Sequence, residues 1–79
     1  MHIQLALFAK FSSRYPDADG GRGARDLTIE PGTTVGDIVA ELGLTREPRI
    51  TFVNGRHAAD DRVLADGDRL ALFPPVAGG

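Results

Sequence analysis

One segment of this sequence repeats apolar residues at helical spacing, and segments with the alternating pattern of strands lie on both sides of it. The apolar positions run from Val35 to Leu42, three or four residues apart, and form one helix face. Thr34 and Asp37 make a variant of the capping box at its start, and Gly43 is a typical stop. Because one short helix has to bury its apolar face against another element, the sequence predicts an α+β domain.

Strand patterns occur in the rest of the chain, at residues 2–9, 25–30, 49–53 and 69–73. Asn54-Gly55 is a strong signal for a two-residue hairpin turn, so a short return strand is expected at 56–58. Residues 10–24 contain Pro16 and several glycines and are predicted to be a loop, with a hairpin tip at 16–24. The predicted order is strand, strand, helix, strand, short strand and strand.

Length, charge and residue types exclude several classes of function. The 79 residues are enough for one domain with a single core. The lack of cysteine excludes disulfides, cysteine-ligated metals and a cysteine nucleophile, and His2 and His57 have no ligand spacing, so no metal site is predicted. A net charge of −2 predicts no binding of nucleic acid. Without a signal peptide or an apolar run near the roughly 20 residues that span a bilayer, the expected location is the cytoplasm.

One helix covers one face of a sheet, so the other face is predicted to meet solvent or a partner. In the last strand Leu70 and Leu72 point one way and Phe73 the other, and the first strand repeats this pattern. The uncovered face is predicted to hold a flat apolar patch with a cation at its edge, made of Ala6, Phe8, Phe52, Arg69, Ala71 and Phe73. Exposed patches of this kind mark partner sites. In the alternative, one strand is shifted by a residue and the rings belong to the core.

The last strand is followed by two prolines and a tail that ends on Gly78-Gly79. A glycine pair contributes no side chain to a core, so the tail is either a frayed end or a reactive terminus. Glycine has no Cβ to block entry into a narrow channel, and Pro74-Pro75 end the sheet and stiffen the root of the tail. The sequence thus divides into a domain over residues 1–75 and a tail over 76–79.

Four stretches together carry a family resemblance: "LALFA" at 5–9, "VNG" at 53–55, "LADGDRLALFPP" at 64–75 and "VAGG" at 76–79. In this order they resemble the MoaD/ThiS ubiquitin-like sulfur carriers, and MoaD, the small subunit of molybdopterin synthase, most closely. The resemblance implies a β-grasp fold, with a mixed sheet of four or five strands and one main helix on one face.

The resemblance also implies a mechanism in which the chain is a carrier rather than a catalyst. A MoeB- or ThiF-like adenylating enzyme uses ATP to activate the Gly79 carboxylate, and a sulfur donor converts it into a thiocarboxylate. The sulfur then passes to a precursor held by a MoaE-like large subunit of molybdopterin synthase or by a thiazole synthase. The segment implied to enter the partner is Pro75, Val76, Ala77 and Gly78. ATP belongs to the activating partner, and no cofactor is expected on the chain itself.

The pathway stays open at this point, because the short segment at 45–48 is closer to ThiS while the "FPPVAGG" tail is closer to MoaD. Two other functions use the same features. A ubiquitin-like modifier would join an activated Gly79 to lysines of other proteins. A plain β-grasp binding module would carry an inert tail.

Overall fold

The computed structural model describes residues 1–15 and 23–75, which form one sheet, one α-helix and one 3-10 helix. The elements in chain order are β1 (His2–Leu7), the 3-10 helix (Ala9–Arg14), β2 (Arg25–Thr28), α1 (Val35–Glu41), β3 (Ile50–Val53), β4 (Arg56–His57) and β5 (Arg69–Phe73). Each predicted strand and the predicted helix are present, and four of the strands are one or two residues shorter than predicted.

The strands form a five-stranded mixed sheet in the order β2-β1-β5-β3-β4. β1 and β5 are parallel, with Leu7 opposite Leu72, and the other neighbours are antiparallel. The two ends of the domain therefore meet in the middle of the sheet, and α1 packs on one face. This is the β-grasp arrangement, and it confirms the predicted fold class.

The core lies between α1 and one face of the sheet. Val35, Ile38 and Val39 of α1 lie in one buried cluster with Leu70 and Leu72 of β5, and none is more than 2% exposed. Full burial of such a side chain stabilises the fold by about 1.5–3 kcal/mol. The helix face predicted from spacing is thus the face that holds the sheet.

Both ends of α1 follow the local sequence. The Thr34 hydroxyl accepts the Asp37 N–H at 3.2 Å, and the Asp37 carboxylate accepts the Thr34 N–H at 3.0 Å, which confirms the capping box. Gly43 has a φ of +74°, a left-handed conformation that favours glycine and ends the helix. In the β3–β4 hairpin, Asn54 and Gly55 both have positive φ, which confirms the predicted tight turn.

The segment after β1 differs from its prediction as a loop. Ala9 adopts a φ of +51°, and Ala9–Arg14 is a 3-10 helix in which Ser12 donates to the Ala9 carbonyl at 2.8 Å. Phe11, only 1% exposed, joins the core from this helix and holds it against β1 and β5. One buried ring in a short segment produces no periodic pattern, which is why the prediction was wrong. Most of the predicted hairpin tip lies outside the described residues.

Tyr15 completes the edge of β1 beyond the end of β2. Its buried hydroxyl accepts the Leu7 N–H at 2.8 Å and donates to the Gly23 carbonyl at 2.6 Å. A side chain therefore supplies a hydrogen bond that a longer β2 would have made.

No helix among the described residues has the length and apolarity to cross a membrane.

Candidate functional site

The face of the sheet opposite α1 carries the residues predicted for the partner patch. Paired positions in a sheet share a face, and Gln4 lies opposite Arg69, Ala6 opposite Ala71, and Phe52 opposite Ala71. Leu5, Leu7, Leu70 and Leu72 alternate with these positions and are buried under α1. We call this surface the open face; its central residues are Ala6, Phe8, Phe52, Arg69, Ala71 and Phe73.

Three phenylalanine rings are packed together on the open face. Phe8 and Phe73 stack with centroids 4.3 Å apart and planes 6° from parallel, and Phe52 meets Phe73 edge-on at 5.6 Å. His57 of β4 extends the cluster by packing on Phe52 at 4.6 Å. Phe8 is 43% exposed, and Phe52 and Phe73 are half-buried. The rings are therefore outside the core, and the shifted-strand alternative does not describe this sheet.

Ala6 is one correction to the predicted patch. It lies on the open face, but it is only 9% exposed, whereas the alternation predicted an exposed side chain. Its methyl group is short and sits in the central strand pair beside Ala71, between the larger side chains of Gln4 and Phe8. Ala6 and Ala71 thus form the floor of a depression in the open face, and the larger aromatic side chains border it.

A shallow groove of about 960 Å³ runs over this floor. The three rings line one part of it, and Arg69 lines another together with Gln4. The Arg69 Nε and one terminal nitrogen both lie 3.3 Å from the Gln4 side-chain oxygen. The groove is therefore apolar at the three rings and carries the Arg69 guanidinium, which the sequence placed at the edge of the patch.

A buried carboxylate fixes the start of β5 beneath Arg69. Asp68 is 7% exposed; it accepts the Ala65 N–H at 2.8 Å and the Asn54 side-chain N–H at 2.9 Å. Asn54 in turn exchanges two hydrogen bonds of 2.9 Å with the Arg69 backbone. The hydrogen bond from the Ala65 backbone, followed by the one from Asn54, holds the pKa of Asp68 below its ordinary value.

The sequence did not predict this network. The available signal was the Asp66-Gly67-Asp68 turn directly before a strand, a position where a carboxylate often accepts backbone N–H groups. Its reach to Asn54 depends on how β3 and β5 pair, which no local pattern contains.

The described part of the chain ends beside the aromatic rings. β5 ends at Phe73, Pro74 is half-buried and Pro75 is exposed. Because β1 and β5 are parallel, the end of β5 lies at the same edge as Phe8 and the 3-10 helix. The predicted site residues Val76, Ala77, Gly78 and Gly79 lie outside the described residues, and their roles stay predictions.

The two histidines lie in different settings. The His2 Nδ1 is 3.3 Å from the Thr28 hydroxyl, and His57 packs on Phe52. Within residues 1–15 and 23–75, no three His, Asp or Glu side chains are grouped so that they could hold a metal ion.

Comparison with known proteins assigns the family. The model of the ThiS family matches residues 9–79 of this chain. The chain belongs to the ThiS family. The match includes β5 and continues through the Gly-Gly tail, the part of the chain on which the resemblance depended.

Solved structures share the fold along almost the whole chain. Small archaeal modifier protein 1 of Haloferax volcanii is 30% identical, with 95% of this chain and 98% of that chain covered and a TM-score of 0.72. A putative molybdopterin converting factor subunit 1 of Pyrococcus furiosus is 24% identical, with 95% of this chain and 98% of that chain covered and a TM-score of 0.72. The complex of subunits 1 and 2 of the molybdopterin-converting factor of Helicobacter pylori contains a chain that is 17% identical over 100% of both, with a TM-score of 0.61.

These findings set the class of this ThiS-family protein. It is a ubiquitin-fold protein of the group that contains sulfur carriers and modifiers. The Pyrococcus and Helicobacter proteins are under 25% identical to this chain, so their likeness shows a shared fold and no more.

Proposed function

We propose that this protein is a sulfur carrier, and that the Gly79 carboxylate is adenylated and then converted into a thiocarboxylate. One observation carries the proposal: in a ThiS-family chain, a packed aromatic face lies at the root of the Gly-Gly tail. An enzyme that docks on this face contacts Phe73, which is six residues before Gly79 in the sequence. The face thus supplies binding, and the terminus supplies the chemistry.

The proposed reaction has two steps at Gly79. A carboxylate oxygen attacks the α-phosphate of ATP, pyrophosphate leaves, and an acyl-adenylate forms. Hydrosulfide then attacks the acyl carbon, the C–O bond to AMP breaks, AMP leaves, and loss of a proton gives the thiocarboxylate. A carboxylate is a poor electrophile, and the adenylate supplies the leaving group that it lacks. The adenylating enzyme provides the ATP site, so this chain needs no cofactor of its own.

The sequence around the terminus suits this role. Gly78 and Gly79 have no Cβ, so the tail fits a narrow channel that ends at the reacting phosphate. Pro74 and Pro75 restrict the backbone at the root of the tail, and Pro74 cannot donate a hydrogen bond that would continue the strand. Val76 and Ala77 are uncharged, so the terminal carboxylate is the one charge of the tail that the enzyme has to desolvate.

The proposed partners follow from the proposed function as a sulfur carrier. The activating enzyme is MoeB- or ThiF-like, and both it and the chain act in the cytoplasm. We favour molybdopterin synthesis with a MoaE-like large subunit, because the tail has the MoaD pattern and the Helicobacter pylori relative is a complex of subunits 1 and 2 of molybdopterin-converting factor. A thiazole synthase is the alternative acceptor, and the sulfur donor is a third partner.

The test is an intact-mass measurement. The purified chain is incubated with ATP, a MoeB-like enzyme and sulfide, and the expected mass change is the replacement of one oxygen by sulfur. A chain lacking Gly79 is the matched control; it is expected to keep its fold, because residues 1–75 contain the whole described sheet and core, and to give no mass change. An enzyme that is active on another carrier but leaves this chain unchanged would overturn the proposal.

A second candidate is supported by the 30% identity to the Haloferax volcanii modifier protein. In that function the activated Gly79 forms an isopeptide bond with a lysine of a target protein, and AMP leaves. Lys10 is the only lysine of this chain, and it is paired with Glu47 at 3.3 Å on the surface. A search of a lysate for Gly79–lysine conjugates separates the two functions, since a dedicated sulfur carrier is expected to form none.

A further inference from the structure

We infer that Arg69 binds a carboxylate of the adenylating enzyme, so that the enzyme segment on the open face has apolar side chains at one end and an Asp or Glu at the other. This inference rests on the proposed function, because it names the partner and its chemistry. The enzyme is the chosen occupant because it acts on Gly79, and the groove runs along β5 as far as Phe73, the last strand residue before the tail in the sequence.

The guanidinium of Arg69 is positioned but not neutralised. It has five N–H donors, and within the described part of the chain two nitrogens bond, both to the neutral Gln4 oxygen at 3.3 Å. No carboxylate of residues 1–15 or 23–75 pairs with it. By contrast, Arg49 donates to three carbonyl groups and is paired with Asp60.

Positioning lowers the cost of binding. A free arginine on a surface loses much of its side-chain freedom when it forms an ion pair, and this loss offsets most of the attraction. Gln4 holds Arg69 from one side, and Asp68 and Asn54 fix its backbone from below. Part of the ordering has therefore occurred before a partner arrives, which favours a directional bond to a carboxylate.

The spacing on the open face defines the partner further. Arg69 and Phe73 are four residues apart on β5, which at about 3.3 Å a residue separates them by about 13 Å. Among the strand residues that the pairing places on this face, Arg69 is the only Arg or Lys, and Asp26, in register with Gln4, is the only carboxylate. A segment with an apolar anchor over the rings and a carboxylate about 13 Å away matches this arrangement.

Binding without ATP tests the inference separately from the chemistry at Gly79. We would measure the Kd between the full chain and the adenylating enzyme of the same organism in the absence of ATP, at low and at high salt. Arg69→Glu is expected to weaken binding about tenfold or more at low salt, and less at high salt. Arg56→Glu is the matched control: it makes the same change in net charge, and Arg56 lies opposite Val53, on the other side of the sheet.

Two further variants separate recognition from a structural role. Arg69→Lys keeps the charge but loses the planar guanidinium, which can donate two parallel hydrogen bonds to a carboxylate. This variant is therefore expected to recover part of the affinity that Arg69→Glu loses. Gln4→Leu keeps Arg69 but removes the side-chain oxygen to which Arg69 donates, and the affinity for the enzyme is expected to fall a few-fold. Circular dichroism and thermal melts of each variant would show whether the fold is intact.

Each outcome decides the inference. The inference is supported if Arg69→Glu weakens enzyme binding, Arg56→Glu does not, and the loss of affinity is smaller at high salt. Equal losses for Arg69→Glu and Arg56→Glu, or no loss for Arg69→Glu, would overturn it, as would a wild-type chain that does not bind the enzyme. Normal binding without thiocarboxylate formation would instead overturn the proposed function and leave the docking assignment standing.

Discussion

Replacement of Asp68 by Asn removes one charge and one hydrogen-bond acceptor from the start of β5. The carboxylate accepts hydrogen bonds of 2.8 Å from the Ala65 backbone and 2.9 Å from the Asn54 side chain. Asparagine has one acceptor oxygen, so one of these bonds remains and the new NH₂ group faces the other donor. The side chain is 7% exposed, and water therefore replaces the lost bond poorly.

The expected magnitude follows from these contacts. A hydrogen bond to a charged group stabilises a fold by about 1.5–3 kcal/mol, and an unsatisfied buried donor costs about 1–3 kcal/mol. We expect Asp68→Asn to lower the free energy of unfolding by about 2–3 kcal/mol at pH 7. A domain of 79 residues has a total of about 4–12 kcal/mol, so the variant stays folded but melts about 8–24 °C lower.

The pH dependence has a definite sign. The pKa of Asp68 is lowered in the folded protein, mainly by the Ala65 N–H and then by Asn54. The carboxylate therefore contributes its stabilisation above the unfolded pKa of about 4, and this contribution is lost as the pH falls through the lower folded pKa. The stability difference between wild type and Asp68→Asn is expected to be constant from pH 7 to about 5 and to shrink below about 4.

Urea denaturation at a series of pH values is the measurement, with Asp61→Asn as the control. Asp61 is exposed and has no hydrogen bond to the described residues, so its replacement is expected to change stability by less than about 0.5 kcal/mol. If Asp68→Asn is as stable as the control, or if its deficit persists unchanged to pH 3, the reasoning about this network is wrong.

The other predictions concern the open face and the edge of β1. Phe73→Glu is expected to weaken enzyme binding about thirtyfold or more in a Kd measurement, while the domain stays folded because it loses only about 1–3 kcal/mol of ring contacts. Val63→Glu makes the same kind of change at an exposed residue, 55% accessible, outside the open face, and equal losses would contradict a specific patch. Tyr15→Phe removes the hydroxyl that the Leu7 N–H needs and should cost about 1–3 kcal/mol in thermal denaturation; an unchanged melt would show that the bond contributes nothing.

Local signals in the sequence predicted the secondary structure well where each element carries its own pattern. The α1 helix shows its spacing, cap and stop within ten residues, and the Asn54-Gly55 turn depends on two adjacent residues. The 3-10 helix lacked such a signal, because its position depends on the burial of Phe11 by distant strands.

The candidate site was predictable in its residue types but not in its contacts. Alternation in β1 and β5 placed Phe8, Arg69 and Phe73 on one face. The stacking of Phe8 on Phe73, the bond from Arg69 to Gln4 and the burial of Asp68 all join segments that are distant in sequence.

The sequence by itself determined the helix, the turn, the alternation of the strands and the family of the chain, because each of these is written in neighbouring residues or in the order of short motifs. Only the tertiary structure decided which residues meet: the parallel register of β1 and β5 puts Phe8 beside Phe73, and the pairing of β3 with β5 brings Asn54 to Asp68. The physical reason is that strand pairing is chosen by the burial of the whole core, so the contacts on the open face follow from the leucines and valines on the opposite face.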